Sequence, residues 1–473
     1  MDNIEKQYLG VWWLPDSPEN KVGGLLNFYK NKEITLELVG TFSSLFNYKK
    51  GKTTYISTKR EIVKYPIILG YLSGENQKIT LYECWPKKYS INSGLSTEHL
   101  NPSVVFLGAH FNSLDEISFK KIKIHYDALS YFLKDSGFKV KLKTINPDEF
   151  ILDEYSLTYS YPESIDISLE EVELKFNFEI NLPLSIKNEM VLSEKPFIVI
   201  NSEFTKTLDD WINDYIDPLR FLLSFSTMMP SIVQNLNVYI ETENNPVEVI
   251  FHQQESKIKQ LPMERIDKLF FIEEDVKDLK RLIFLWFKTF VKYKSVFDLF
   301  FNIEYSPKLD LKNKFLNTIQ ALEMYHREKY KNHKNWDDEI FKKRVGEILI
   351  PFSGKYRKWL KSLTRYANEP NLNERLKLII ESLNGTVNNL FEDQSLFTKS
   401  VSDTRNYLTH NNPNLKNKIL TGSDLFWASE KLMFILQTSF LTDLDFTFDE
   451  INKILNRNER FKNMLLFGKQ SIN

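Results

Sequence analysis

Cysteine is almost missing: Cys84 is the single one in 473 residues. That excludes an intramolecular disulfide framework and a cysteine-based zinc centre, and it fits a reducing compartment. Glycine (15) and proline (17) are sparse, which excludes collagen-like, glycine-linker and broadly disordered classes. Seven histidines occur, with no HExxH motif, no pair at i and i+4 and no carboxylate–histidine cluster at ligand spacing. Neither a metal nor another cofactor is expected. His326 and His333 stand beside Arg327, Lys329, Lys331 and Lys334, and are read as solvated helix-end side chains. There is also no GxxxxGKS/T phosphate loop, no GxGxxG and no GxSxG nucleophile elbow, and Val22-Gly23-Gly24-Leu25 reads as a strand-edge turn. Long apolar runs are lacking. The most apolar stretch, Leu282 to Val291, carries Lys288 and is too short to cross a bilayer. The opening Met1-Asp2-Asn3-Ile4-Glu5-Lys6 lacks the basic and then apolar character of a secretory signal. A cytoplasmic protein with no membrane partner is the expectation.

Net charge is nearly absent too, with 62 Lys+Arg against 63 Asp+Glu and a formal charge of −1. Taken whole, that argues against a generally basic nucleic-acid binder. Divided along the chain, the balance is different. Residues 1–305 hold 35 basic and 43 acidic side chains, residues 306–420 hold 21 and 13, and residues 421–473 hold 6 and 7. A surplus of eight positive charges over 306–420 suits either a solvated lysine-rich helical surface or attraction to a polyanion.

What is abundant is apolar and aromatic material: 42% hydrophobic residues, with Phe 36 and Tyr 22. The length and this composition suit two to four globular domains with sizeable cores. From Trp12 to about Thr205 the pattern is strand-like. Ile34-Thr35-Leu36-Glu37-Leu38-Val39 and Lys139-Val140-Lys141-Leu142-Lys143 alternate as half-buried strands do. Tyr65–Tyr71 and Lys78–Cys84 flank a hairpin loop, and strands are expected again at Glu171–Ile180, Lys195–Ile200, Asn235–Ile240 and Val247–His252. Many short strands divided by turn residues predict an antiparallel sandwich or barrel-like domain. Leu208–Met229 predicts a helix, with Trp211, Tyr215, Leu219 and Leu222 on one stripe. From Asp275 the chain reads as successive helices. Leu311–Arg327 carries Phe315, Ile319, Leu322 and His326 on one face, and further helices are expected near 337–349, 354–367, 371–384, 399–411, 422–440 and 447–465. The fold class is therefore α+β and multidomain. The expected division is a β-rich 1–255 containing the 208–229 helix, a helical connector at 256–305, and an all-α bundle at 306–473. Trp12, Trp13 and Trp85 are expected to be core aromatics.

One segment carries chemistry, Ser402-Asp403-Thr404-Arg405-Asn406-Tyr407-Leu408-Thr409-His410-Asn411-Asn412-Pro413. Asn412 precedes proline, so the helix should stop near His410. Five residues of helix rotate by about 140°, so Arg405 and His410 do not share a stripe, yet a long arginine can reach a cleft at that helix end. Metal-free RNA cleavage needs a group that moves protons near neutrality and a fixed cation for the phosphorane oxygens. Histidine and arginine supply these. The same pair also suits a salt-bridging arginine and a histidine capping a helix C-terminus.

Arg405-Asn406-(x3)-His410 in an all-α segment resembles the Arg-x4-6-His signature of HEPN ribonucleases. Phe315-Leu316-Asn317-Thr318-Ile319-Gln320-Ala321-Leu322-Glu323 and Asn373-Glu374-Arg375-Leu376-Lys377-Leu378-Ile379 resemble the ApeA-like HEPN branch. Gly10-Val11-Trp12-Trp13-Leu14-Pro15, Val22-Gly23-Gly24-Leu25 and Ile34-Thr35-Leu36 resemble the ApeA N-terminal domain. The resemblance implies an antiphage toxin acting by abortive infection, its HEPN domain a metal-independent endoribonuclease that leaves 2′,3′-cyclic phosphate and 5′-hydroxyl ends. It implies an RNA substrate (tRNA or mRNA), a homodimer or higher homo-oligomer through the HEPN domain, and a phage-encoded trigger. Carried over, Arg405 stabilises the phosphorane, His410 transfers protons, Asn406 orients or contacts the phosphate, and Glu323 is a polar neighbour from the first HEPN helix. The N-terminal part would sense infection or restrain the nuclease, and removing residues 1–300 is expected to leave a more toxic one. The alternative is a non-catalytic HEPN scaffold that dimerises or binds RNA or a nucleotide.

Overall fold

Alternating apolar residues and few breakers give the first half long antiparallel strands. In the computed structural model the residues described are 4–29, 33–42, 48–50, 53–55, 64–74, 77–92, 95–133, 136–146, 151–182, 190–241, 243, 245–251, 265–306, 308–331 and 333–468. Two units result. One comprises Met1–Ser224 with Pro230–Gln260, the other Phe225–Met229 with Leu261–Asn473. From Leu261 the stretch expected as a connector clusters with the helical unit. The tip of the predicted hairpin loop, His252 and Pro307 lie outside the described residues.

The first unit is built on a closed barrel. Its strands β1 (Ile4–Leu14), β2 (Ser17–Tyr29) and β3 (Ile34–Val39) pair in sequence. A short pair, β4 (Tyr48–Lys50) and β5 (Thr53–Tyr55), stands apart from the sheet. Then come β6 (Tyr65–Leu72), β7 (Gln77–Asn92) and β8 (Leu95–Leu107). β6 pairs with β1, β7 with β6, β8 with β7, and β8 returns to β3 through Leu36 opposite Leu100, so the ring closes. Of the two architectures expected, the barrel is the one formed.

Its interior is filled by Trp12, Leu26, Leu36, Ile68, Ile79, Leu81 and Val105 among others, all buried. Cys84 is buried with them, and burial pushes its thiol pKa up. Close packing explains two of the glycines. A Cβ on Gly70 would lie 2.4 Å from the Trp12 ring, and one on Gly24 would lie 2.6 Å from the Glu37 carbonyl oxygen. Val22-Gly23-Gly24-Leu25 therefore sits within β2, not at a strand-edge turn. Gly24 serves close approach, as interior glycines in strands often do, while a Cβ on Gly23 would meet open space. Trp13 is also buried, but Trp85 is half exposed, with the Lys64 ammonium 4.8 Å from its ring, so it is not a core aromatic.

The far end of β8 carries the sheet onward. It pairs with β16 (Val247–Phe251), and the order continues through β15 (Val233–Tyr239), β9 (Ser118–Tyr126), β14 (Ser193–Thr207) and β13 (Val172–Asn181) to β12 (Ile165–Ser168). β10 (Phe138–Asn146) and β11 (Ile151–Tyr159) form a separate hairpin, and α1 (Leu129–Phe132) is a single turn. The predicted 208–229 helix is interrupted. α2 (Leu208–Trp211), opened by a Thr207–Asp210 capping box, passes through a π-helical turn, Ile212–Ile216, into α3 (Asp217–Thr227). The residues that close α3, from Phe225 on, already belong to the second unit.

Among the described residues the regular elements of that unit are all helices: α4 (Leu279–Lys292), α5 (Lys294–Tyr305), α6 (Leu311–Lys329), α7 (Asp338–Leu349), α8 (Gly354–Leu363), α9 (Leu372–Ser382), α10 (Gln394–His410), α11 (Gly422–Asp443), α12 (Phe448–Arg457) and α13 (Glu459–Phe467). Side chains cap the starts as the sequence dictates, with Asp310 at α6, an Asn371–Glu374 box at α9 and Asp393 at α10. The predicted 447–465 helix is two, divided at Asn458, whose side chain accepts from the Phe461 amide and restarts the helix. α11 is buried on nearly all sides from Ala428 to Leu441, which marks it as the central helix. Phe440 on it meets Phe297 at 4.4 Å, Phe225 at 5.8 Å and Phe300 at 5.9 Å between ring centroids.

A buried charge cluster sits on the same helix. Glu430 accepts from Lys314 Nζ at 2.7 Å and Arg460 Nε at 2.6 Å, while Arg460 also forks onto Glu304 at 2.9 and 3.1 Å. Burial opposes ionisation of Glu430, but Arg460 and Lys314 outweigh it and hold its pKa down at about 2. Among the described residues no helix is long and apolar enough to cross a membrane.

Candidate functional site

α10 positions the candidate residues. Phe397, Val401 and Thr404 turn inward, and α10 packs on α9 and α6. Thr404 Oγ1 donates to the Ser400 carbonyl oxygen at 2.7 Å and accepts from the Leu420 amide at 2.9 Å, tying the helix to the chain that follows it. α10 ends at His410. Asn411 adopts the left-handed conformation at φ 50°, its amide donating to the Tyr407 carbonyl oxygen at 2.7 Å, and Pro413 opens a short 3-10 turn. The stop falls where the Asn-Pro pair places it.

Arg405 and Glu323 are brought together from α10 and α6. One guanidinium nitrogen of Arg405 lies 3.3 Å from Glu323 Oε2, and another donates to Asn406 Oδ1 at 3.3 Å. Arg405 and Glu323 are both partly exposed, so the pair can still be approached from solvent. Its worth to the fold is small, about 0–1 kcal/mol, as is usual for such pairs. His410 lies exposed at the helix end, and its imidazole makes no hydrogen bond among the described residues. Chemically the assembly offers a tethered cation, an amide beside it, and a free imidazole one helical turn and a half further along.

Beneath it lies a cluster that sequence reasoning missed. His326, read as solvated, is 1% exposed. Its Nδ1 stands 3.1 Å from an Arg375 guanidinium nitrogen, whose other groups donate to the Pro370 carbonyl oxygen at 2.9 Å and Glu369 Oε2 at 3.0 Å. Arginine only donates, so His326 Nδ1 is the acceptor and the ring is neutral with its proton on Nε2. Burial first, then the charges of Arg375, His333 and Arg327, hold the His326 pKa down at about 4. Glu323 also acts electrostatically on Arg375. The signal was available: Arg375 falls on the apolar stripe of α9 with Leu372, Leu376 and Ile379, and His326 on that of α6, where a charged or polar side chain needs a partner. His333 is exposed, as read.

Among the described residues no group of three or more His, Cys, Asp or Glu is placed to hold a metal.

A helical unit that follows a β-barrel unit in the chain and carries an Arg-x4-His helix is the arrangement of a HEPN-type protein, a class whose domain is generally a ribonuclease. Residues 316–450 match the family described as Apea-like HEPN, and residues 7–286, more than half of the chain, match ApeA N-terminal domain 1. The chain belongs to the ApeA family of antiphage defence proteins. No curated protein and no solved structure matches it.

Proposed function

We propose that this protein defends by abortive infection, cutting RNA at the α10 helix end without a metal. His410 in one step takes the 2′-hydroxyl proton as the 2′-oxygen bonds to phosphorus. The bond from phosphorus to the 5′-oxygen then breaks, and that oxygen receives a proton. Arg405 stabilises the phosphorane charge, Asn406 orients it or the phosphate, and Glu323 holds Arg405 in reach. One chain supplies one imidazole, so a second copy, contributing its own His410, completes the acid–base pair. The observation that carries this reading is the exposed, unpartnered imidazole of His410 on the same helix end as an arginine held by Glu323 and Asn406. The substrate is an RNA, either tRNA or mRNA, and the N-terminal unit restrains the enzyme until a phage product arrives. The scaffold reading draws on the Arg405–Glu323 ion pair, which gives the arginine a structural use.

Cells expressing wild type, Arg405→Ala, His410→Ala or Glu323→Gln under phage challenge separate the two. Wild type should protect and yield RNA with 2′,3′-cyclic phosphate ends. Arg405→Ala and His410→Ala should each lose at least about a hundredfold in cleavage, in line with single acid–base or oxyanion groups, while melting like wild type. Glu323→Gln should lose less. Protection that survives both alanine variants refutes the nuclease.

A further inference from the structure

The surplus positive charge of the helical unit is concentrated in one arm. Residues 331–366 hold ten basic and four acidic side chains, which is most of the excess of 306–420. Between Ile348 and Asn368 there is no acidic residue, but there are five basic ones: Lys355, Arg357, Lys358, Lys361 and Arg365. The arm is α7 and α8. Asn368 pins its base, its side chain accepting from the Trp336 amide and donating to the Trp336 carbonyl oxygen, both at 2.9 Å, while its own carbonyl accepts from Asn335. Arg357 donates to the Leu349 carbonyl oxygen at 2.8 Å and fixes the turn between the two helices. The excursion is thus held in shape at both ends.

Its apolar face points outward. α8 buries none of its residues, and Tyr356 (73% exposed), Trp359 (59%) and Leu363 (58%) follow at spacings of three and four along one face, with Tyr366 (66%) just beyond. These side chains have no partner among the described residues. Lysines flank them at 355, 358 and 361. Aromatic faces interleaved with cations are the composition that grips single-stranded nucleic acid, the rings stacking on bases and the cations tracking phosphates. Protein interfaces, by contrast, deplete lysine from their cores.

We propose that the α7–α8 arm is a binding surface for single-stranded RNA, with Tyr356 and Trp359 as its stacking platform. The proposal rests on the ribonuclease reading for its ligand, yet binding can be measured without cleavage. The full chain carrying His410→Ala is titrated into a fluorescein-labelled single-stranded RNA and followed by anisotropy. Adding Tyr356→Ser and Trp359→Ser together should weaken binding at least tenfold, since each stacked base contributes about that much. Trp359→Phe should keep most of it. Lys355→Glu, Lys358→Glu and Lys361→Glu together should weaken binding and flatten the salt dependence by about two to three phosphate contacts.

Equal affinity across these variants overturns the proposal. So does a loss of self-association in sedimentation with RNA binding intact, which would make the face a contact between copies. Binding to phosphatidylserine vesicles without RNA binding would make it a membrane surface and overturn the proposal too. If the arm variants bind RNA as before while Arg405→Ala abolishes cleavage, the arm fails and the nuclease stands. The converse result leaves the arm standing without the nuclease.

Discussion

Replacing His326 by glutamine removes one titrating group from the interior and leaves a carbonyl oxygen to accept from Arg375. In the folded chain the imidazole is held at about 4 by burial and by Arg375, 3.1 Å away, against an ordinary value of ~6.5 when unfolded. Between these values the unfolded state binds more protons, so stability falls as pH drops from ~6.5 to about 4 and stops falling below that. The difference corresponds to about 3 kcal/mol. Urea unfolding of full-length wild type and His326→Gln at about pH 7, 5.5 and 4 should therefore show wild type losing roughly 3 kcal/mol more than the variant. Glu430, held at about 2, titrates below this window, and carboxylates that titrate within it do so in both proteins. Imidazole NMR gives a second readout, because one of seven histidine signals should vanish in the variant. That signal should move with a midpoint near 4 in wild type. A midpoint near neutrality, or pH curves that run parallel in the two proteins, would refute the buried neutral pairing.

Glu430→Gln should cost about 1–3 kcal/mol by urea unfolding of the full chain, because Lys314 would lose the carboxylate it contacts while Arg460 keeps only Glu304. In wild type the Glu430 contribution is fully present above the ordinary carboxylate range and is lost as pH falls to about 2. In the barrel, Gly70→Ala forces a methyl group to 2.4 Å from the Trp12 ring, and should destabilise by about 1–3 kcal/mol and disturb the near-UV circular dichroism of that tryptophan. A Gly70→Ala protein as stable as wild type would mean the barrel yields where its packing says it cannot.

Much of the fold was legible because it rests on local periodicity. Ile34–Val39 alternates and is a strand, and Leu311–Lys329 has a helical stripe and an aspartate cap. The end of α10 was legible from Asn412-Pro413 alone. What was not legible depends on partners distant in sequence. Barrel closure is made by Leu36 opposite Leu100, and nothing near either residue announces it. Gly24 looked like a turn because the backbone that leaves no room for a side chain, the Glu37 carbonyl oxygen, is on the neighbouring strand. His326 looked solvated because its neighbours in sequence are basic, while the group that satisfies it is Arg375, 49 residues on. At the candidate site the arginine, amide and histidine were legible as a motif. That Glu323 meets Arg405 was carried by resemblance, since an acid on an amphipathic helix says little about its partner.

Phe225 bears on how the chain can be divided. Its ring lies among Phe270, Phe271, Trp286 and Phe440 of the helical unit, although its neighbours in sequence up to Ser224 are grouped with the barrel. A deletion of residues 1–300 takes away Phe225, Trp286, Phe297 and Phe300 together, and leaves Phe440 facing a hole that costs several kcal/mol for each ring lost. The helical unit is therefore not a cassette that proteolysis or recombination can free by cutting a linker. A harmless 1–300 truncation would therefore report a ruined core before it reported on anything else.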